Sequence, residues 1–219
     1  RVISQKTSVF RVILWSAMMG ISGCSNNTSS PDPQPRSPTP NQPEVPVPPP
    51  SAGSDPPVPL QNCSNIMPLG DSITLGVNGG YRNNLYTGLL QNNCTVSYVG
   101  TESDSATRIA DKDHEGHPQF TIKQISERVS GWIASTQPNI ILLMIGTNDI
   151  AWWSTENAYE IGARHNALLD QLRSLRPNAW IFVASIPPQT PALIQPNNID
   201  RAVLTQQFND VIRANVEAR

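Results

Sequence analysis

The chain has 219 residues, with 15 Lys and Arg against 17 Asp and Glu, and a formal net charge of −2 at pH 7. No stripe of basic residues accompanies this balance, so we expect no nucleic-acid partner. The 21 prolines are unevenly distributed. Their clustering separates an N-terminal region that cannot form a core from a C-terminal region long enough to bury one.

Residues 1–23 have the layout of an export signal. Arg1, Lys6 and Arg11 provide a basic start, and the apolar run that follows, from Val12 to Ile21, is too short to span a bilayer. Small residues follow that run. We therefore predict that residues 1–23 are a signal peptide and exclude them from the folded domain.

The end of this signal, "ISGC" at 21–24, resembles a bacterial lipobox. The resemblance implies that Cys24 becomes the lipidated N-terminus, anchored to a membrane by several acyl chains. Ser25 after the cysteine favours the outer membrane of the bacterial cell envelope. The alternative is an ordinary secretory signal followed by an unrelated cysteine, which makes the protein secreted.

Residues 24–60 are predicted to be a linker. Positions 25–60 contain 13 prolines and only four charged residues, a composition typical of a semi-rigid, extended tether. A ligand for a proline-recognising partner is the alternative interpretation.

Residues 61–219 alternate between strand-like and helix-like segments. We predict strands at 66–70, 95–100, 139–146 and 179–186, and helices at 80–91, 120–133, 156–175 and 199–217. This order predicts an α/β fold, a three-layer α/β/α sandwich with a parallel sheet. Because the chain ends at Arg219 inside a predicted helix, we expect the last strand and helix to be missing.

Two cysteines flank the first two predicted strands. Cys63 and Cys94 each precede an apolar stretch, and the starting ends of neighbouring parallel strands lie close together. An even pair in an exported protein is a candidate disulfide. Two buried free thiols are the alternative.

Three loops at one edge of the predicted sheet suit acyl transfer. Ser72 follows the first strand at a helix start, where free backbone N–H groups favour a developing anion. Gly100 ends the second strand, and Asn148 follows the third. Two backbone N–H groups and one side-chain amide can thus converge on one oxyanion.

These residues resemble the SGNH (GDSL-type) hydrolase superfamily through "GDSITLG" (70–76), Gly100 and "GTND" (146–149). The resemblance implies a flavodoxin-like fold, with Ser72 as nucleophile and an oxyanion hole of Ser72, Gly100 and Asn148. "GGYRNNL", "VSYVGT" and "DHEGHPQFTI" resemble the carbohydrate esterase branch, the acetyl-xylan esterases. That branch usually has Gly-Trp where this chain has Gln119-Phe120.

The family's general base is a histidine in an Asp-x-x-His motif, and no such motif follows Asn148. We expect it beyond Arg219, so the chain as given should be nearly inert, since a serine hydroxyl is weak without a base. His114 or His117 at the site edge is the alternative base. His165 is interpreted as structural or on the surface.

The remaining candidates concern the cleft. Asp71 is expected to brace its loop through backbone N–H bonds, and Asp149 to cap the segment after it. Candidate cleft residues are Asp71, Tyr81, His117, Trp152 and Trp153; the two tryptophans either stack on sugar rings or pack against a helix. A zinc site at His114 and His117 is not favoured because the H-E-x-x-H spacing is absent. No metal or cofactor is expected.

Together these features predict a serine esterase that removes acyl groups, acetyl in particular, from a polysaccharide. A lysophospholipase or thioesterase of the same superfamily is the alternative enzyme. A catalytically silent glycan-binding envelope protein is the alternative from another class.

Overall fold

The computed structural model describes residues 10–13, 63–104, 109–150, 155–194 and 198–219. The chain divides into two units, Arg1–Trp15 with Leu60–Arg219 and Ser16–Pro59, and all described residues belong to the first. The rest of the predicted export signal, Cys24 and the linker lie outside the described residues. Among the described helices, none has the length and apolar character needed to cross a membrane.

The core of the domain is a mainly parallel sheet, as predicted. The strand bounds are β1 Phe10–Ile13, β2 Cys63–Gly70, β3 Val96–Tyr98, β4 Glu102–Ser103, β5 Asp113–Gly116, β6 Ile140–Met144 and β7 Trp180–Ala184. The strands lie in the order β1-β7-β6-β2-β5-β4, with β3 also paired to β2. All pairings in this sheet are parallel except that between β4 and β5.

Helices cover both faces of this sheet. Alternate strand residues such as Met67 and Ile141 pack in a large core with the helices α3, α5 and α6, whereas Ile66 and Ile140 belong to a smaller core that Leu89 of α2 contacts. The α/β/α sandwich is therefore confirmed. The helix bounds are α1 Ser72–Leu75, α2 Tyr81–Gln91, α3 Ile122–Thr136, α4 Thr147–Ile150, α5 Ala158–Leu175 and α6 Arg201–Glu217, with a 3-10 turn at Val77–Gly79.

The segment 101–119, in which no strand was predicted from the sequence, is not irregular throughout. It contains β5, whose Glu115 and Gly116 pair with Leu69 and Gly70 of β2. β3 pairs with the beginning of β2 and β5 with its end, so both strands lie along the same side of β2. The polar "DHEG" lacks the apolar run by which the other strands were recognised.

Two other short segments differ from the expectation. Phe10–Ile13 pairs with β7 at the sheet edge, although the sequence analysis left it outside the fold; the export signal itself stays a prediction. Leu193–Ile194 (β8) and Ile199–Asp200 (β9) form a small antiparallel pair, so the last helix begins at Arg201 rather than at 199. Asp200 caps it by accepting from the Ala202 N–H at 2.7 Å.

The predicted disulfide between Cys63 and Cys94 is present, with Cα atoms 5.6 Å apart. It joins the start of β2 to the segment that precedes β3. The neighbouring starts of parallel strands therefore lie within bridging distance, as expected from the chain order.

His165 is a buried structural residue. It lies on α5 with its side chain fully enclosed and its ring edge-on to Phe208, 6.0 Å between centroids. Burial, with a smaller contribution from the Arg219 charge, lowers its pKa from 6.5 to about 4.

We expect this histidine to make the protein less stable in acid. Above pH 6.5 the buried neutral histidine does not lower the free energy of unfolding. Between pH 6.5 and about 4 the unfolded chain binds a proton at this residue that the folded chain does not, so the free energy of unfolding decreases as the pH falls, by up to about 3 kcal/mol. Urea denaturation at pH 7, 5.5 and 4 should show a flatter pH dependence for His165→Leu than for the wild type. Parallel curves would contradict this assignment. His114, whose pKa is also lowered to about 4 by burial, contributes equally to both proteins.

Candidate functional site

Ser72 lies at the turn between β2 and α1. Asp71 is the N-cap of α1, and its carboxylate accepts the Ile73 N–H at 2.8 Å, the bracing role expected from the sequence. Ser72 is the first helical residue and is exposed, whereas Asp71 is fully buried. The turn therefore presents the serine to solvent, while the N–H groups of the next three residues, Ile73, Thr74 and Leu75, are bonded to Asp71.

Gly70 allows this turn to lie close to β6. A Cβ built at Gly70 would lie 2.1 Å from the carbonyl oxygen of Met144, its partner in the ladder. Any side chain there would separate the two strands. The glycine therefore places the Ser72 turn directly beside the loop that follows β6.

A buried arginine holds the far end of α1. Arg82 is fully buried and donates to the carbonyls of Thr74 (3.0 Å), Leu75 (2.8 Å) and Lys112 (3.2 Å). These bonds satisfy helix carbonyls that lack intrahelical partners. Tyr81, a predicted cleft residue, also lies beside this helix: burial raises its pKa to about 12, and the neighbouring Thr74 side chain opposes that rise.

Asp71 connects the Ser72 turn to the third loop, which contains Thr147 and Asp149. Burial raises its pKa; the Ile73 N–H and the Thr147 hydroxyl oppose that effect, and the Asp149 charge adds to it. The carboxylates of Asp71 and Asp149 therefore lie close enough to repel each other. Both side chains are buried, so neither carboxylate is exposed as a proton donor.

The second loop begins at Gly100, which packs on β5. A Cβ at Gly100 would lie 2.1 Å from the His114 carbonyl oxygen. The residues on either side are anchored: the Val99 N–H donates to Ile66 at 2.8 Å, and the Thr101 N–H donates to the Glu115 carboxylate at 2.5 Å.

The third loop contains α4. The Asn148 side-chain amide donates one hydrogen to the Phe120 carbonyl at 2.9 Å, and an amide nitrogen carries a second hydrogen. Asp149 accepts the Ile122 N–H at 3.0 Å and bonds Arg164 at 3.1 Å. It was expected to cap the following segment; instead it caps the start of α3, which only the tertiary fold brings near. Burial raises the pKa of Asp149, and the hydrogen bonds from the Ile122 N–H and from Arg164 oppose that rise.

The sheet register brings the three loops to one edge. Gly70 is opposite both Gly116 of β5 and Met144 of β6, and Gly100 packs against the strand that contains Gly116. Parallel strands open their carboxyl ends onto the same crevice, where ligands bind in such sheets. The predicted donors Ser72, Gly100 and Asn148 therefore all follow strands that end at this edge.

The histidine-rich segment next to this edge has no metal cluster. Within the described part of the chain, no group of three or more His, Cys, Asp or Glu could hold a metal ion. His114 is buried and its Nδ1 accepts the Gly116 N–H at 3.0 Å; Nε2 of His117 bonds Glu115 at 2.8 Å. Trp152 and Trp153 lie outside the described residues.

Glu115 is the residue of this region that sequence reasoning missed. It is fully buried and contacts both Thr101 and His117. The signal that could have identified it was the strand at 113–116, because a polar residue inside a central strand needs partners.

Comparison with known proteins agrees with this geometry. Residues 69–219 match the model of the GDSL-like Lipase/Acylhydrolase family. The chain is 36% identical over 147 residues to "Multidomain esterase" of Ruminococcus flavefaciens; the match covers 56% of this chain and 19% of that protein. The chain thus spans about a fifth of the length of that relative.

Two solved structures are similar. A Clostridium thermocellum family 3 carbohydrate esterase superposes with a TM-score of 0.56 and 31% identity, covering 72% of each chain. A carbohydrate esterase family 3 structure from Talaromyces cellulolyticus gives a TM-score of 0.58 at 24% identity, covering 70% of this chain and 72% of that one, and supports the fold alone. The sequence motifs, the sheet and the family match agree: the chain belongs to the GDSL-like lipase/acylhydrolase family.

Proposed function

We propose that this protein is a serine esterase in which Ser72 is the nucleophile. The observation that carries the proposal is the position of Ser72, exposed at the start of α1, on the sheet edge where Gly100 and Asn148 also lie. The helix start supplies the Ser72 N–H, the second loop the Gly100 N–H and the third loop the free amide hydrogen of Asn148. Such donors stabilise the oxyanion of the tetrahedral intermediate.

The reaction proceeds in two steps. Ser72 Oγ attacks the ester carbonyl while its proton passes to a general base; the alcohol leaves with that proton, and an acyl-enzyme remains. Water then attacks the acyl-enzyme and releases the acid. The base is expected to be the histidine of an Asp-x-x-His motif, which stays a prediction. His114 and His165 are buried, and Nε2 of His117 donates to Glu115.

The substrate we propose is an acetylated polysaccharide. Support comes from the carbohydrate esterase at 31% identity and the multidomain esterase at 36%. We further propose that the enzyme acts at the bacterial envelope, anchored through Cys24 and extended on the 24–60 linker, or is secreted. These N-terminal features support an exported location and a substrate outside the cytoplasm.

Acyl-chain preference tests this substrate class. We expect the full-length protein to hydrolyse 4-nitrophenyl acetate at least about 10-fold faster, in kcat/KM, than the octanoate ester, and to release acetate from acetylated xylan, because a site that fits an acetyl group excludes a longer acyl chain by steric clash. Preference for octanoate would favour the lysophospholipase or thioesterase alternative. Absence of both hydrolysis and fluorophosphonate labelling of Ser72 would favour a glycan-binding protein.

A further inference from the structure

The buried carboxylate of Glu115 lies between the second loop, which begins at Gly100, and the ring of His117. Its Oε1 accepts the Thr101 N–H at 2.5 Å, and its Oε2 accepts the Thr101 hydroxyl at 3.2 Å and contacts Nε2 of His117 at 2.8 Å. Because a carboxylate only accepts, His117 is the donor. Removing any of these hydrogen-bond donors would leave the buried Glu115 carboxylate incompletely paired, which destabilises the fold.

His117 in turn is fixed by an aromatic stack. Its ring lies between Trp132, 4.4 Å away with an interplanar angle of 10°, and Phe120, 4.8 Å away with an angle of 21°. The Arg128 guanidinium covers the Phe120 ring at 5.1 Å. Only 11% of the His117 side chain is exposed, so the ring has one defined position.

Phe120 continues the connection to the other side of the site. Its carbonyl accepts the Asn148 amide at 2.9 Å, and its N–H donates to the His117 carbonyl at 3.2 Å. One chain of contacts thus runs from Thr101 through Glu115, His117 and Phe120 to Asn148. Its two ends are the residue after Gly100 and the side chain of the third oxyanion donor.

We propose that Glu115 and His117 are positioning residues that fix the Gly100 N–H and the Asn148 amide relative to each other. This inference rests on the esterase function proposed above. Gly100 has no side chain to restrict its backbone, so the peptides before and after the one that carries its N–H need fixed acceptors for their own N–H groups, those of Val99 and Thr101. Ile66 provides one acceptor and Glu115 provides the other.

The role makes a specific kinetic prediction. Oxyanion donors act on the transition state more than on the bound ester, so a misplaced donor lowers kcat and leaves KM nearly unchanged. A purely structural role would lower the melting temperature and the fraction of active protein, without changing kcat per active site.

Two variants test it in the full-length protein with 4-nitrophenyl acetate. His117→Phe keeps a stacked ring but cannot donate to Glu115, and Glu115→Gln keeps the shape but weakens the bonds to Thr101. We expect each to lower kcat about 10-fold or more, per active site titrated with a fluorophosphonate, with KM within about twofold of wild type. Since both residues act in one chain of contacts, the double variant should lose little more than either alone.

Glu102→Gln is the matched control, because it removes an exposed carboxylate from β4, one residue after Thr101; its kcat should not change. Folded His117→Phe protein with wild-type kcat would overturn the proposal even if Glu115→Gln failed to fold. Inactive wild-type protein would instead refute the esterase function. In that case a ¹⁵N NMR spectrum tests the connection between His117 and Asn148 directly. His117→Phe should shift the signals of the Asn148 side-chain amide, and unchanged signals would overturn the proposal.

Discussion

Replacing Ser72 with alanine is expected to lower kcat for ester hydrolysis by at least about 10⁴-fold in the full-length protein. The alanine removes the atom that forms the acyl-enzyme, so only the oxyanion donors and substrate binding remain to accelerate attack by water. The side chain at 72 is exposed, so the variant should fold normally. Steady-state hydrolysis of 4-nitrophenyl acetate, with thermal denaturation in parallel, measures both effects.

Covalent labelling makes this result specific to the nucleophile. Wild-type protein should react with a fluorophosphonate and Ser72→Ala should not, while Ser130→Ala, which changes an exposed serine on α3, should behave as wild type. Activity retained in Ser72→Ala would remove Ser72 from the mechanism and refute the proposed function. Loss of activity with unchanged labelling would place the reactive serine elsewhere.

The buried apolar strands were predictable, because β6 and β7 are continuous apolar runs between turn residues. The runs Ile140–Met144 and Trp180–Ala184 each lie within the segments expected from the sequence. β5 was not predictable in this way. Its residues Asp113–Gly116 are polar and pair with β2 only because β3 ends early and the chain returns to the same side of that strand.

The candidate site likewise has a part that could be predicted from the sequence and a part that could not. Ser72, Gly100 and Asn148 could be proposed from the sequence because each follows a predicted strand and belongs to a short motif, and their roles stay predictions. The partners that fix them depend on contacts between segments far apart in the chain, such as Asn148 with Phe120 and Asp149 with Ile122. Spacing along the sequence carries no information about such contacts.

The departure from the carbohydrate esterase pattern at Gln119-Phe120 has a structural counterpart. Gln119 has a φ of 67°, in the left-handed region where a glycine is less strained, which is the residue that branch usually has there. Phe120 stacks on His117 in the position of the usual tryptophan. At these two positions this chain therefore has a backbone conformation that suits glycine and an aromatic side chain.

Replacing Asn148 with alanine is expected to lower kcat by about 10²–10³-fold with little change in KM. Loss of one oxyanion donor costs about 3–4 kcal/mol of transition-state stabilisation. The Asn148 amide also donates to the Phe120 carbonyl, so the variant should lose about 1 kcal/mol of folding stability as well. Asn148→Asp, which cannot donate and adds negative charge beside the oxyanion, should be at least as inactive.

A control of the same chemistry separates the two roles of this side chain. Asn92 donates its amide to the Gly88 carbonyl at 2.8 Å at the exposed end of α2. Asn92→Ala therefore removes an amide-to-carbonyl bond away from the site and should leave kcat unchanged. A raised KM with unchanged kcat in Asn148→Ala would assign the amide to substrate binding, since uniform binding affects KM alone. Wild-type kcat would exclude it from the oxyanion hole, because the transition state would then develop its charge without that donor.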